Sequence, residues 1–139
     1  MMFQIFKMLA IAQLLFATNL PPDKTYRLEL NVHNIMISKG KIYVAIYNNE
    51  KEFMKNPYLK KSVPVEHFMS EKIVFDNLPE GDYCVTIYQD LNENAKLDKT
   101  LNMPTEPYGL SNNPNAFPTY ENTRFHINKD TAIRIKLKN

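Results

Sequence analysis

Hydrophobic and polar residues alternate with a period of two along most of this chain. Tyr26, Leu28, Leu30 and Val32 alternate with Arg27, Glu29 and Asn31. Ile42, Val44 and Ile46 alternate with Tyr43, Ala45 and Tyr47, and Ile133, Ile135 and Leu137 with Arg134 and Lys136. Successive side chains of a strand point to opposite faces, so each run predicts a half-buried β-strand. Residues 63–68, 72–75, 83–89 and 123–127 predict further strands. The turn signals Ser38-Lys39-Gly40, Pro79-Glu80-Gly81-Asp82 and Asn128-Lys129-Asp130 separate them. Residues 50–61 predict one short helical piece, a turn or two near 50–58, anchored by Phe53 and Met54 and broken by Pro57.

About seven short strands with tight turns predict an all-β chain folded as a single antiparallel β-sandwich over residues 24–139. Residues 90–120 are expected to form a long loop, with Pro104, Pro107, Pro114 and Pro118 opposing regular structure. Its aromatic residues Tyr108, Phe117 and Tyr120 predict an ordered loop lying over the sheet. The stretch from Ile73 through Leu78-Pro79-Glu80-Gly81-Asp82-Tyr83 to Ile87 is a strand, a Pro-x-Gly turn, a Tyr and an alternating strand. That element resembles one recurrent in transthyretin-like and carboxypeptidase-regulatory-like sandwiches, and the expected fold is an Ig-like or transthyretin-like sandwich.

Composition narrows the compartment and the partners. Lys7 precedes a mostly apolar run over residues 8–17, interrupted by Gln13. The run falls short of the about 20 residues needed to cross a bilayer but suits the core of a signal peptide. Residues 1–19 are therefore expected to be a signal peptide, with Pro21-Pro22 as a spacer. The expected location is outside the cytoplasm, either periplasmic or secreted to the cell surface, with no transmembrane helix after cleavage. Lys and Arg number 17 against 15 Asp and Glu. Without a basic patch, nucleic acid is not an expected partner. The single cysteine, Cys84, excludes an intramolecular disulfide and reads as a small core residue within a strand. His33, His67 and His126 fall in separate predicted strands without metal-ligand spacing.

The candidate chemistry lies in Asp90-Leu91-Asn92-Glu93-Asn94-Ala95-Lys96-Leu97-Asp98. Asp90, Asn92, Asn94 and Asp98 carry side-chain oxygens at alternate positions, and Lys96 offers a backbone carbonyl. That is the spacing with which a calcium loop wraps its ion. Position six of such a loop is usually Gly, and here it is Ala95; the closing Glu is replaced by Leu101. Glu106 is the nearest later carboxylate and the candidate to complete the shell. The competing reading is a plain polar turn, because Asn and Asp side chains bond nearby backbone and tolerate positive φ. In the following segment Tyr108 is a candidate stacking residue, and Asn112 and Asn113 are candidate hydrogen-bonding residues for a glycan or peptide.

Gly40-Lys41-Ile42-Tyr43-Val44-Ala45-Ile46-Tyr47, the 78–83 turn, the 89–98 loop and Pro104-Thr105-Glu106-Pro107-Tyr108-Gly109-Leu110-Ser111-Asn112-Asn113 together resemble a bacterial secreted family, domain of unknown function 2141. The likeness covers about residues 25–139, and departs at Leu91, Ala95 and Leu110, where the family usually has an acidic residue, Gly and Phe. The resemblance implies an exported β-sandwich without an established activity.

The expected function is a non-catalytic binding or accessory module with a candidate calcium-stabilised loop and no catalytic residues. Two alternatives compete with it. One is a hydrolytic enzyme using the carboxylates of Asp90, Asp98 and Glu106. The other is an assembly protein that adds an edge strand to a neighbour's sheet.

Overall fold

The alternation in the first run becomes β1 (Thr25–Ile35), which buries Tyr26, Leu28, Leu30 and Val32. This computed structural model describes residues 23–139 apart from Phe68. The expected signal segment, residues 1–19, lies outside the described residues. A turn through Gly40 leads to β2 (Lys41–Tyr47), which buries Ile42, Val44 and Ile46 on the same core. Gly40 has φ +73°, and a Cβ there would sit 1.9 Å from the carbonyl oxygen of Asp90. Only glycine fits that crossing, which places the start of the 90–98 loop beside the turn from β1 to β2.

The remaining strands are β3 (Leu59–Pro64), β4 (Met69–Pro79), β5 (Gly81–Asp90), β6 (Lys99–Thr100), β7 (Met103–Pro104), β8 (Tyr108–Leu110), β9 (Phe125–Ile127) and β10 (Thr131–Lys136). One sheet has the order β10-β1-β4. The other has the order β3-β2-β5-β8, with β9 joined to the first residues of β5. Leu30, Val32, Ile73 and Ile135 from the first sheet, with Leu137 just past β10, meet Ile42, Val44, Val85 and Ile87 from the second in one core. Each such side chain stabilises the fold by about 1.5–3 kcal/mol on burial. The chain passes between sheets at the Pro79-Glu80-Gly81 turn. There the Tyr83 hydroxyl donates to the Pro79 carbonyl at 2.8 Å, in the manner of a tyrosine corner.

The all-β sandwich is as the period-two pattern predicts, with five local differences. β10 pairs with β1 in parallel, not antiparallel; the two strands come from opposite ends of the domain, so no tight turn has to join them. The helical piece shrinks to a 3₁₀ turn at Glu50–Glu52, capped by the Asn49 side chain, and residues 59–61, read as helical, already belong to β3. Pairing with β2 from Ile46↔Leu59 to Lys41↔Pro64 overrides the weak local helical preference. The strand read at residues 63–68 starts earlier and ends at Pro64. Within residues 90–120, β8 adds to the edge of β5, and β6 and β7 form a short hairpin. The sequence also carries a one-turn helix, α1 (Tyr120–Thr123), with a capping box between Thr119 and Asn122.

Candidate binding face and polar loop

Gln89 and Asp90 end β5 fully buried, Gln89 toward the core and Asp90 toward the loop that follows. The Gln89 amide donates to the carbonyls of Ile37 (2.6 Å) and Lys39 (2.9 Å), which fixes the turn that carries the chain from β1 in one sheet to β2 in the other. Asp90 folds the loop onto itself. One carboxylate oxygen accepts the backbone N–H of Asn94 at 3.2 Å and the other that of Ala95 at 2.8 Å. Asn92 and Asn94 make Asx turns, accepting the N–H groups of Asn94 (3.3 Å) and Lys96 (3.0 Å). Their amide groups converge on Asp98, at 2.6 Å from Asn92 and 2.8 Å from Asn94.

Glu106 returns to this loop, as the sequence suggested, but as a brace. It is 7% exposed, and its two oxygens accept the N–H groups of Leu91 (3.0 Å) and Asp98 (3.1 Å). One side chain thus clamps both ends of the loop. Ala95 adopts φ 61°, the left-handed conformation in which its Cβ is crowded. Asp90, Asn92, Asn94 and Asp98 therefore share one hydrogen-bonded cluster. Among the described residues, no group of three or more His, Cys, Asp or Glu side chains is arranged to hold a metal ion. A cation here would draw on two carboxylates, two amide oxygens and the Lys96 carbonyl.

Tyr108 lies in a different setting, on the outer face of the β3-β2-β5-β8 sheet. Register places Ser62, Tyr43, Tyr88 and Tyr108 opposite one another in a row across four strands. A bridge extends the row to Lys138, whose ammonium lies 6.0 Å from the Tyr108 ring centre. Tyr43 and Tyr88 are stacked, with centroids 5.1 Å apart and planes 7° from parallel. The next outward row is Lys60, Ala45, Thr86 and Leu110, where the two central side chains are small. The change from tall tyrosines to Ala45 and Thr86 makes an open groove of about 1180 Å³. Met103 of the β6–β7 hairpin and Phe117 line it; Phe117 is 85% exposed. Burial first, then the carboxylates of Asp90, Glu106 and Asp98 among its charged neighbours, push the Tyr88 phenol up to about 12. Ala95 and Leu97 of the loop line the groove too, so the two adjoin.

Asn112 and Asn113 hold the segment after β8 in place. Both have positive φ. The Asn112 amide donates to the Arg124 carbonyl at 2.8 Å. The Asn113 amide donates to the Arg134 carbonyl at 2.9 Å and accepts the Lys136 N–H at 2.7 Å. Tyr43 and Tyr88 were not singled out from sequence. The available signal was the run Tyr43, Ala45, Tyr47 at outward positions, where an ordinary solvated strand carries charge.

Other reactive groups are engaged elsewhere. Cys84 is buried beside the Thr123 hydroxyl at 3.2 Å, and burial pushes its thiol up. His126 contacts Asp82 at 2.8 Å on the surface, and Arg124 contacts the other Asp82 oxygen at 3.1 Å.

Fold and site together define a β-sandwich module with an aromatic groove on one sheet and a clamped, asparagine-rich loop at its rim. Residues 30–135 match the model of a family described as uncharacterized proteins conserved in bacteria, domain of unknown function 2141, and the chain belongs to that family. No curated protein and no solved structure matches it. No helix among the described residues is long and apolar enough to cross a membrane.

Proposed function

We propose that this chain is an exported, non-catalytic binding module that takes its ligand on the outer face of the β3-β2-β5-β8 sheet. The observation that carries this reading is the row of Tyr43, Tyr88 and Tyr108 beside the low row of Ala45 and Thr86. Aromatic side chains supply large contact area with a polar tip, the composition of binding surfaces. Ligand classes that suit such a face are glycans and peptides. Catalysis by carboxylates has less support, because both oxygens of Asp90 and both of Glu106 accept backbone N–H groups. A panel of immobilised glycans and peptides tests the reading. Binding by the protein that is lost in a folded Tyr88→Ala variant is expected; binding unaffected by Tyr43→Ala and Tyr88→Ala contradicts it.

The 90–98 loop is proposed to take calcium weakly, with Asp90, Asn92, Asn94 and Asp98 and the Lys96 carbonyl as donors and Glu106 bracing the loop from behind. The convergence of the Asn92 and Asn94 amides on Asp98 supports it. Turning the two amides presents their oxygens to the same centre, at the loss of the two Asx turns. Two neutral donors among four side chains set the affinity near the extracellular range of roughly 10⁻⁴ to 10⁻³ M. Thermal unfolding in millimolar calcium against chelator measures this. A saturable rise in Tm, absent in Asp98→Ala, is expected; no rise makes the loop a self-satisfied polar turn.

A further inference from the structure

Among the described residues, the charged side chains that line the groove are all basic. Lys55, Lys60, Lys61, Lys99 and Lys138 line it, and no Asp or Glu does, in a chain with 17 basic and 15 acidic residues. Two of the five are partly committed: the Lys61 ammonium donates to the Val74 carbonyl, and that of Lys138 to the Pro114 carbonyl at 2.7 Å. Lys55, Lys60 and Lys99 are exposed. The carboxylates of Asp90, Asp98 and Glu106 that approach Tyr88 accept hydrogen bonds within the loop. Ser62, Thr86, Asn102 and Asn115 supply the neutral polar groups of the groove.

Resting on the binding-face reading above, we infer that the groove holds an acidic polysaccharide, its carboxylates against Lys55, Lys60 and Lys99 and its ring hydroxyls against tyrosine, serine, threonine and asparagine side chains. Position in the fold favours a glycan over an acidic peptide. An extended peptide is held chiefly by main-chain hydrogen bonds at a sheet edge. This groove lies across a sheet face, where the backbone of β2 and β5 is already paired on both sides, so side chains do the recognition. Single-stranded nucleic acid needs free aromatic faces on which bases stack. In the tyrosine row Tyr43 and Tyr88 each give up one face to the other, which shortens any stacking platform.

The test is isothermal titration of the purified protein at low salt with four probes: a uronic-acid oligosaccharide, its neutral counterpart of equal length, oligoglutamate and oligothymidylate. The uronate oligosaccharide is expected to bind at least about tenfold more tightly than the other three, and more weakly as salt rises. Lys60→Glu and Lys99→Glu each weaken it by roughly tenfold, while Lys129→Glu, the same charge change in the β9–β10 turn, leaves it unchanged. Equal binding of the neutral sugar, insensitive to Lys60→Glu but lost in Tyr88→Ala, overturns the acidic class and leaves the binding face standing. Tighter binding of oligoglutamate or oligothymidylate overturns the glycan. Probe binding that neither Tyr88→Ala nor Lys60→Glu changes overturns the binding face as well.

Discussion

Tyr43 and Tyr88 stand opposite one another across β2 and β5, their rings 5.1 Å apart and 7° from parallel. Cross-strand aromatic pairs are worth about 0.5–1.5 kcal/mol beyond the area they bury. A double-mutant cycle of Tyr43→Ala and Tyr88→Ala in urea unfolding is expected to show a coupling in that range. Additive effects would mean that the two rings share a face without supporting each other.

Ala95 carries the left-handed conformation that the loop requires, with φ 61°. Glycine adopts it without steric penalty. Ala95→Gly is expected to raise stability by about 1 kcal/mol, because relief of Cβ crowding outweighs the added freedom of the unfolded chain. Chemical denaturation of the two proteins measures it, and a loss of stability would argue against this loop geometry.

Glu106 holds both ends of the loop through two charge-assisted hydrogen bonds. Glu106→Ala leaves the N–H groups of Leu91 and Asp98 without that partner and is expected to cost about 3 kcal/mol. Glu106→Gln keeps one acceptor and recovers roughly half. Hydrogen exchange at Leu91 and Asp98 separates a loosened loop from general destabilisation.

Asp82 sets a pH dependence. Its hydrogen bond with His126, helped by the charges of His126 and Arg124, holds its carboxyl below the ordinary carboxylate range. A folded-state value below the unfolded one contributes stability that is complete above the unfolded value of about 3.9. That contribution is lost as pH falls through the folded value. The acid limb of a stability–pH profile is therefore expected to be shallower in Asp82→Asn than in the parent protein.

The period-two runs showed the strands because each buries one face, and a register slip would expose Leu28, Leu30 and Val32 together. The same pattern was silent about β8, whose three residues follow Pro107 and depend on pairing with Thr86, Ile87 and Tyr88. It was equally silent about the parallel pairing of β1 and β10, a relation between distant segments. The 90–98 loop was legible because Asx turns follow from local side-chain spacing. Glu106 was found as a neighbour of that loop, but its role as a clamp depends on which groups remain unpaired after folding. The tyrosine row was hidden for a related reason: Tyr43, Tyr88 and Tyr108 are far apart in sequence and align only through two strand registers.

The outer face of the β3-β2-β5-β8 sheet is the proposed binding surface. Chemical-shift mapping during titration with a uronic-acid oligosaccharide tests it most directly. Saturable shifts concentrated at Tyr43, Ala45, Thr86, Tyr88 and Lys60 are the predicted result. Shifts confined to the β10-β1-β4 sheet would contradict it.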